Sequence, residues 1–362
     1  MIAAATEFMK LSVLWIGAGT AGAQSSTASR WRVLAACVVA AAGVALARAA
    51  DVKPVAIAIH GGAGVIDRAH MTPEREASYR AGLAAALDAG YAVLERGGSS
   101  LDAVVTAVRV MEDDPQFNAG RGAVLTHQGA AELDAAVMDG VGPRAGAVAG
   151  VRHVKNPIQL ARLVMERSPH VLLVGEGAEE FALEQGVALV PNSYFRTELR
   201  VRELEHALRE EQEGRKPAAP PGPGTVGAVA IDRTGNLAAA TSTGGLTNKQ
   251  HGRVGDSPLI GAGTYANNES CAVSGTGQGE FFIRAVVAYD ICALVQYKHL
   301  PLAAAVHAVI HDKLQRLGGE GGVIAVDGDG HIAMDFNSGG MFRAVRDSHG
   351  HREVAIYRSA TQ

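Results

Sequence analysis

The sequence predicts an α+β fold in which helices cover both faces of a two-layered sheet core. Three features predict it. Short apolar runs bounded by Gly and Pro alternate with helical patterns through the first half of the chain. At Gly224-Thr225 a Pro/Gly-rich stretch gives way directly to a new pair of apolar strands. Helical patterns lie before and after that junction while strands gather around it, an order that places helices outside and sheets inside.

Residues 55–59 form a short apolar strand ending in the turn His60-Gly61-Gly62-Ala63-Gly64. Helices follow at 73–95 and 100–111; in the second, Leu101, Val104, Val105 and Val108 make one apolar stripe, and Ser99 and Asp102 suit its N-terminal cap. Short strands are expected at 123–126, 133–138 and 145–151, a helix at 157–166, a buried strand at 171–174 and a helix at 178–184. A charge-mixed helix at 197–213 leads into the linker 214–224, which has little to bury and is expected to be exposed and mobile. Beyond Thr225, strands at 226–232 and 237–243 flank the turn Arg233-Thr234-Gly235-Asn236. A strand at 271–275, long helices at 280–297 and 301–317, a hairpin at 323–327 and 331–336, and a last strand at 354–357 complete the chain.

The 362 residues carry a net charge of -4, with 48% hydrophobic and 19% charged residues, as in an ordinary globular protein. No basic stripe interleaved with aromatics is present, which argues against a nucleic-acid partner. Residues 1–50 read as a signal peptide and leader: Arg30 and Arg32 precede an apolar run at 33–46 too short to span a membrane, and Ala47-Arg48-Ala49 offers a cleavage site. The expectation is export to the periplasm or medium; a true start beyond this segment would leave the protein cytoplasmic. Of three cysteines, only Cys271 and Cys292 belong to the body, and two do not argue a disulfide framework or a Cys-rich metal site. Asp347, His349 and His351 read as a polar loop. The dinucleotide fingerprint fails at Glu180, where its third Gly is needed, and neither a P-loop nor a Gly-x-Ser-x-Gly elbow occurs.

What remains is Thr225 and the polar residues after it. Threonine is a poor nucleophile, but a Thr made N-terminal by backbone cleavage carries its own base, an α-amine of pKa about 7.7 to 8. Downstream, Thr241, Ser242, Thr243, Asn248, Arg253, Asp256, Ser257, Ser274, Thr276, Gln278 and Glu280 cluster in Gly-rich loops between apolar strands. Together they supply a hydroxyl nucleophile, donors for an oxyanion, and a cation and an anion that could hold a zwitterion.

Several segments resemble the plant-type asparaginases, also called isoaspartyl aminopeptidases. They are Gly224-Thr225-Val226-Gly227, Thr241-Ser242-Thr243-Gly244-Gly245, Gly252-Arg253-Val254-Gly255-Asp256-Ser257 and Gly275-Thr276-Gly277-Gln278-Gly279-Glu280, preceded by His60-Gly61-Gly62-Ala63-Gly64, Phe117-Asn118-Ala119-Gly120 and Leu133-Asp134-Ala135-Ala136. The resemblance runs from about residue 55 to 357. It implies a four-layer αββα sandwich of the N-terminal nucleophile hydrolase type. It also implies a precursor that cuts itself between Gly224 and Thr225 into an α fragment (51–224) and a β fragment (225–362), which pair into a dimer of heterodimers.

By the same resemblance Thr225 attacks the side-chain amide of asparagine or the isopeptide carbonyl of a β-aspartyl dipeptide. Thr243 tunes the nucleophile, Thr276 and Gly277 form the oxyanion hole and also touch substrate, and Asn118 helps position Thr225. Arg253 takes the substrate α-carboxylate and Asp256 its α-ammonium, while Gln278 faces the leaving-group side. No organic cofactor is implied. Backbone carbonyls of Met111, Glu112, Asp114, Phe117, Ala119 and Arg121 correspond to a structural sodium site. Two other readings stay open here: a glycosylasparaginase-like hydrolase, and a periplasmic amino-acid-binding protein that uses Arg253 and Asp256 as a clamp without being an enzyme.

Overall fold

The computed structural model describes residues 53–66, 68, 71–215 and 224–358. The expected leader and most of the linker, including Pro221-Gly222-Pro223, lie outside the described residues. The first strand, β1 (Ala56–Gly64), pairs antiparallel on one side with β5 (Val226–Ile231) and on the other with β11 (Gly340–Asp347). With β2 (Leu133–Asp139), β3 (Arg144–Val151), β4 (Leu172–Val174), β6 (Leu237–Thr243) and β12 (Arg352–Tyr357) they make an eight-stranded sheet of order β12-β11-β1-β5-β6-β2-β3-β4. A second sheet has the order β10-β9-β8-β7, from β7 (Thr264–Ala266), β8 (Cys271–Gly277), β9 (Gly321–Asp327) and β10 (Ile332–Phe336).

The helices follow the expected caps. In α1 (Pro73–Glu95) the Thr72 hydroxyl accepts from Arg75 N, and in α2 (Ser100–Asp113) Ser99 Oγ accepts from Asp102 N, each satisfying a donor the helix leaves free. Further along come α3 (Pro157–Arg167), α4 (Gly175–Glu184) and α5 (Glu198–Gln212), then α6 (Gly279–Ala285), α7 (Val287–Lys298) and α8 (Leu302–His307).

Period-two alternation sorts the strand residues into separate apolar clusters. Ile57, Ile59, Ala228 and Ala230 pack with Leu83 and Leu87 of α1 and Val104 and Val108 of α2. Their neighbours Ala56, Ala58, Val229 and Ile231 pack instead with Ala272, Ile324 and Val326 of the second sheet. On the other side of that sheet, Val273, Val323 and Ala325 meet Phe282, Ile291, Val306 and Ile310. A one-residue slip of any central strand would exchange these sets and lose them all.

Several expectations need correction. Residues 123–126 form no strand; they contribute one isolated bridge, Leu125 to Ala131. The strand expected to be buried at 171–174 is β4, an exposed edge strand with Val174 59% accessible, because only β3 pairs with it. The helix expected at 280–297 breaks at Val286 (φ 51°), where Ala288 N and Tyr289 N donate to the carbonyls of Ala262 and Gly261. The one at 301–317 widens after His307 into a π-helical turn, Ala308–Leu314. Strand β11 was not anticipated, since its Arg343, Arg346 and Asp347 obscure the apolar pattern. The Asp347 loop is the tight β11–β12 turn, with His349 N and His351 N donating to Asp347 Oδ1.

Cys271 and Cys292, which spacing alone did not pair, are joined in a disulfide that ties β8 to α7 across 21 residues. Closing a loop of that size restricts the unfolded chain by about 3 kcal/mol. Cys292→Ala is therefore expected to lower the unfolding midpoint in denaturant by an amount matching about 3 kcal/mol, and dithiothreitol should lower the wild type but not the variant. Equal midpoints for variant and wild type would contradict a stabilising disulfide.

Candidate active site

The register of β1, β5 and β6 determines where Thr225 sits. Val226 lies opposite Ser242 and Gly227 opposite His60, so the residue before β5 lies beside the end of β6. There Thr225 Oγ1 donates to Thr243 Oγ1 at 3.0 Å, and Gly245 N donates to the same Thr243 oxygen at 3.0 Å. With Gly245 N on one lone pair of the Thr243 hydroxyl, the other is held toward Thr225. On the β1 side, Gly224 N donates to Gly61 O at 3.0 Å. Gly62 has φ 115°, and a Cβ there would come within 2.0 Å of Gly224 N, so only glycine lets the two backbones meet.

A cavity of about 160 Å³ opens at this point, with Thr225, Asn118, Thr276, Gly277 and Gln278 in its wall. Thr276 Oγ1 accepts from Ala63 N at 3.2 Å. Asn118 reaches Thr225 only through the 244–245 loop: its Nδ2 donates to Gly245 O, its Oδ1 accepts from Val124 N and its carbonyl accepts from Gly244 N. Arg253 and Asp256 do not line the cavity. They flank Gly279 instead, where a Cβ would lie 2.9 Å from both Arg253 Nη2 and Asp256 Oδ1.

Arg253 Nε and Nη2 donate to the two oxygens of Glu280 at 3.0 and 3.1 Å, a two-pronged grip on a carboxylate. That pairing holds the Glu280 carboxyl below its ordinary range. Asp256 is buried, its Oδ2 has no partner among the described residues, and burial pushes its carboxyl up to about 7. Glu112 is likewise buried and pushed up to about 8, although Ser242 Oγ and Ile158 N both donate to its Oε1.

His60 was noted in the sequence only as the head of a glycine turn. Its Nδ1 lies 3.0 Å from Thr225 O, and a carbonyl can only accept, so Nδ1 carries the proton and Nε2 accepts from Ser274 Oγ at 2.9 Å. Burial lowers its pKa to about 3, so the ring is neutral. Thr241 lies 2.7 Å from Ser274 and accepts from Thr264 at 2.6 Å, making a buried hydroxyl chain that ends on the carbonyl of Thr225. Gly227 makes room for it, since a Cβ there would lie 2.0 Å from Ser274 Oγ. The signal available in the sequence was the polar run Thr241, Ser242 and Thr243 inside a strand otherwise built from apolar residues.

At the end of α2, Gly120 (φ 50°) folds the loop back so tightly that a Cβ would lie 2.4 Å from Glu112 O. The carbonyls of Asp114 and Ala119 already accept from Phe117 N and Gly122 N. The Arg121 guanidinium lies over the Tyr194 ring, 5.8 Å from its centroid, and so points out of the loop.

Comparison with known proteins decides the family. A family model described as Asparaginase matches residues 52–356. The chain belongs to the asparaginase family. Within it, this asparaginase-family chain is 55% identical over 313 residues to the isoaspartyl peptidase of Salmonella typhimurium, covering 83% of this chain and 98% of that protein. It is 53% identical over 307 residues to the isoaspartyl peptidase of Escherichia coli, covering 83% and 96%. A Xenopus laevis isoaspartyl peptidase/L-asparaginase shares 47% over 307 residues, covering 84% and 96%. Among the described residues no helix is long and apolar enough to cross a membrane.

The Glu112 carboxyl is raised from 4.5 to about 8 on folding, so the folded state binds the extra proton and stability falls as pH rises from about 4.5 through 8. Glu112→Gln should flatten that part of the stability profile, making the variant the more stable protein relative to wild type at pH 8 than at pH 5. Parallel profiles in thermal unfolding would show that Glu112 stays ionised.

Proposed function

We propose that this protein is a self-cleaving amidohydrolase that cuts β-aspartyl dipeptides and the side-chain amide of L-asparagine, with Thr225 as nucleophile. The observation that carries the proposal is the Thr225 hydroxyl held by Thr243 at 3.0 Å, one residue after a glycine pinned to β1. The names of the relatives agree with this substrate class.

In maturation, Thr225 Oγ attacks the Gly224 carbonyl carbon, the C–N bond breaks and the acyl group moves from nitrogen to oxygen. Water then cleaves the ester, leaving the Gly224 carboxylate and a free Thr225 amine. While the nitrogen is in the peptide bond it has no basic lone pair, so the precursor lacks its base. Afterwards the amine accepts the Thr225 hydroxyl proton, and Oγ attacks the substrate β-carbonyl. The amine or ammonia leaves protonated, and water hydrolyses the β-aspartyl ester.

Thr276 Oγ1 and Gly277 N–H are the donors for the oxyanion; one such donor is worth about 2.7 to 4 kcal/mol. Neutral His60, fixed on the Thr225 carbonyl, keeps the nucleophile's backbone in place while its side chain reacts. Asn118 positions it through the 244–245 loop.

Arg253 takes the substrate α-carboxylate in place of Glu280, which is more than half exposed and free to swing away. Asp256, whose Oδ2 lacks a partner among the described residues, receives the α-ammonium, and that positive charge offsets the cost of ionising a buried carboxyl. A substrate whose α-carboxylate is capped leaves Arg253 without that partner, which selects isoaspartyl over ordinary aspartyl bonds. The fold of such an enzyme is a four-layer αββα sandwich of the N-terminal nucleophile type, a proposal supported by the three apolar clusters on and between the two sheets. Two further proposals follow: pairing of the cleaved units into a dimer of heterodimers, and export, with which the Cys271–Cys292 disulfide agrees. The carbonyls of Met111, Glu112, Asp114, Phe117, Ala119 and Arg121 would hold a sodium ion. The tight return of the loop at Gly120 fits a small oxygen-lined cradle.

On a denaturing gel with intact-mass analysis, purified protein should resolve into two fragments, the smaller beginning at Thr225, and Thr225→Ala should remain one folded chain that releases no aspartate. A wild type still uncut after prolonged incubation would overturn the proposal. Arg253→Lys exchanges a fork for a point charge, so KM for a β-aspartyl dipeptide should rise about tenfold or more with a smaller change in kcat. An unchanged KM would remove Arg253 from the substrate site.

A further inference from the structure

A second cluster of functional side chains lies on the outer side of the four-stranded sheet, and it shares no lining residue with the catalytic cavity. We propose that His307, His311 and Asp335 form a binding site for one divalent transition cation of the zinc type. His307 closes α8, His311 follows one turn later in the π-helical segment, and Asp335 comes from β10. The i, i+4 spacing of the histidines is visible in the sequence, but only the fold supplies the carboxylate.

The geometry carries the assignment. His311 Nε2 lies 2.9 Å from Asp335 Oδ1, and His307 Nδ1 lies 3.5 Å from Asp335 Oδ2. The two rings stand side by side, with centroids 4.5 Å apart and planes 31° apart, so one carboxylate faces two imidazole nitrogens, each through a different oxygen. All three donor atoms lie within 4.8 Å of one another. Tetrahedral zinc with ligands at about 2.0 to 2.2 Å needs donors about 3.4 Å apart. The His311–Asp335 contact, 2.9 Å, is within about half an ångström of that value, and the side chain of His307, 66% exposed, is free to adjust toward the same oxygen.

A simple His–Asp hydrogen bond would explain His311 alone; it does not explain the second imidazole aimed at the same carboxylate. The cluster borders a concavity of about 460 Å³, which leaves room for a water or a fourth ligand. Arg358, also in that wall, directs its guanidinium to the carbonyls of Phe336 and Ser338, not to Asp335. The π-turn that carries His311 is a second, independent mark, since such turns are rare and frequent at functional sites. Two imidazoles and one carboxylate favour zinc, copper, nickel or cobalt over magnesium or calcium, which prefer all-oxygen ligands. A bound cation would join α8 to β10, the edge of its sheet, and so stabilise the folded chain without entering the reaction.

The test uses untagged, self-cleaved protein stripped with a chelator and titrated with zinc chloride by calorimetry. A parallel titration with cobalt chloride is followed by its visible absorption bands. One saturable equivalent per chain is expected, with a rise in Tm on zinc addition; magnesium chloride should give neither. His311→Ala and Asp335→Asn should abolish saturation, and His307→Ala, at an exposed position that tolerates truncation, should weaken zinc binding by more than about tenfold. Absence of saturable zinc binding by the wild type, or an unchanged affinity in folded His307→Ala, overturns the proposal.

Discussion

The antiparallel pairing of β1, β5 and β6 is the constraint on which the rest of the site depends. It brings residues far apart in sequence, His60, Thr225 and Thr243, to the same end of three central strands. Once the register is set by the alternation of apolar residues, Thr225 has no freedom to face elsewhere. Its carbonyl is taken by His60, its hydroxyl by Thr243, and the preceding residue's N–H by Gly61. The Gly224–Thr225 segment is thus held by groups belonging to the sheet itself, which fixes its position without help from a ligand.

Burial gives the site its electrostatics. Three buried ionisable groups, His60 on the Thr225 carbonyl, Glu112 on Ser242 and Asp256 beside Gly279, are moved by burial toward their neutral forms. For His60 the neutral form is the useful one, because a single proton on Nδ1 fixes the direction of the whole hydroxyl chain. For Asp256 the neutral form is one that the cationic end of the proposed substrate would reverse. Arg253 meanwhile keeps a carboxylate in its fork, that of Glu280, so under the proposed function the substrate would exchange one ion pair for another and would not have to fill an empty charged pocket.

Much of this was legible in the residues. The helix over Pro73–Glu95 and the strand over Leu237–Thr243 follow from periodicity and from their bounding turn and cap residues. Thr225, Thr243, Arg253, Asp256 and Thr276 were among the polar residues of the Gly-rich loops beside apolar strands, and the resemblance to the asparaginases singled them out. What failed had tertiary causes: Val286 breaks its helix because the 261–262 loop takes the next turn's donors, and β4 is exposed because nothing pairs beyond it.

By itself the sequence determined most of the elements, the Gly224-Thr225 junction and the set of polar residues from which a site could be built, because these depend on local periodicity and on residue chemistry. Only the tertiary structure decided that His60 serves the Thr225 carbonyl, that Arg253 is already paired, that Cys271 meets Cys292 and that His307, His311 and Asp335 converge. Each is a contact between residues on different elements, and such contacts follow from strand register and helix packing, which the whole core determines at once and no single window of sequence contains.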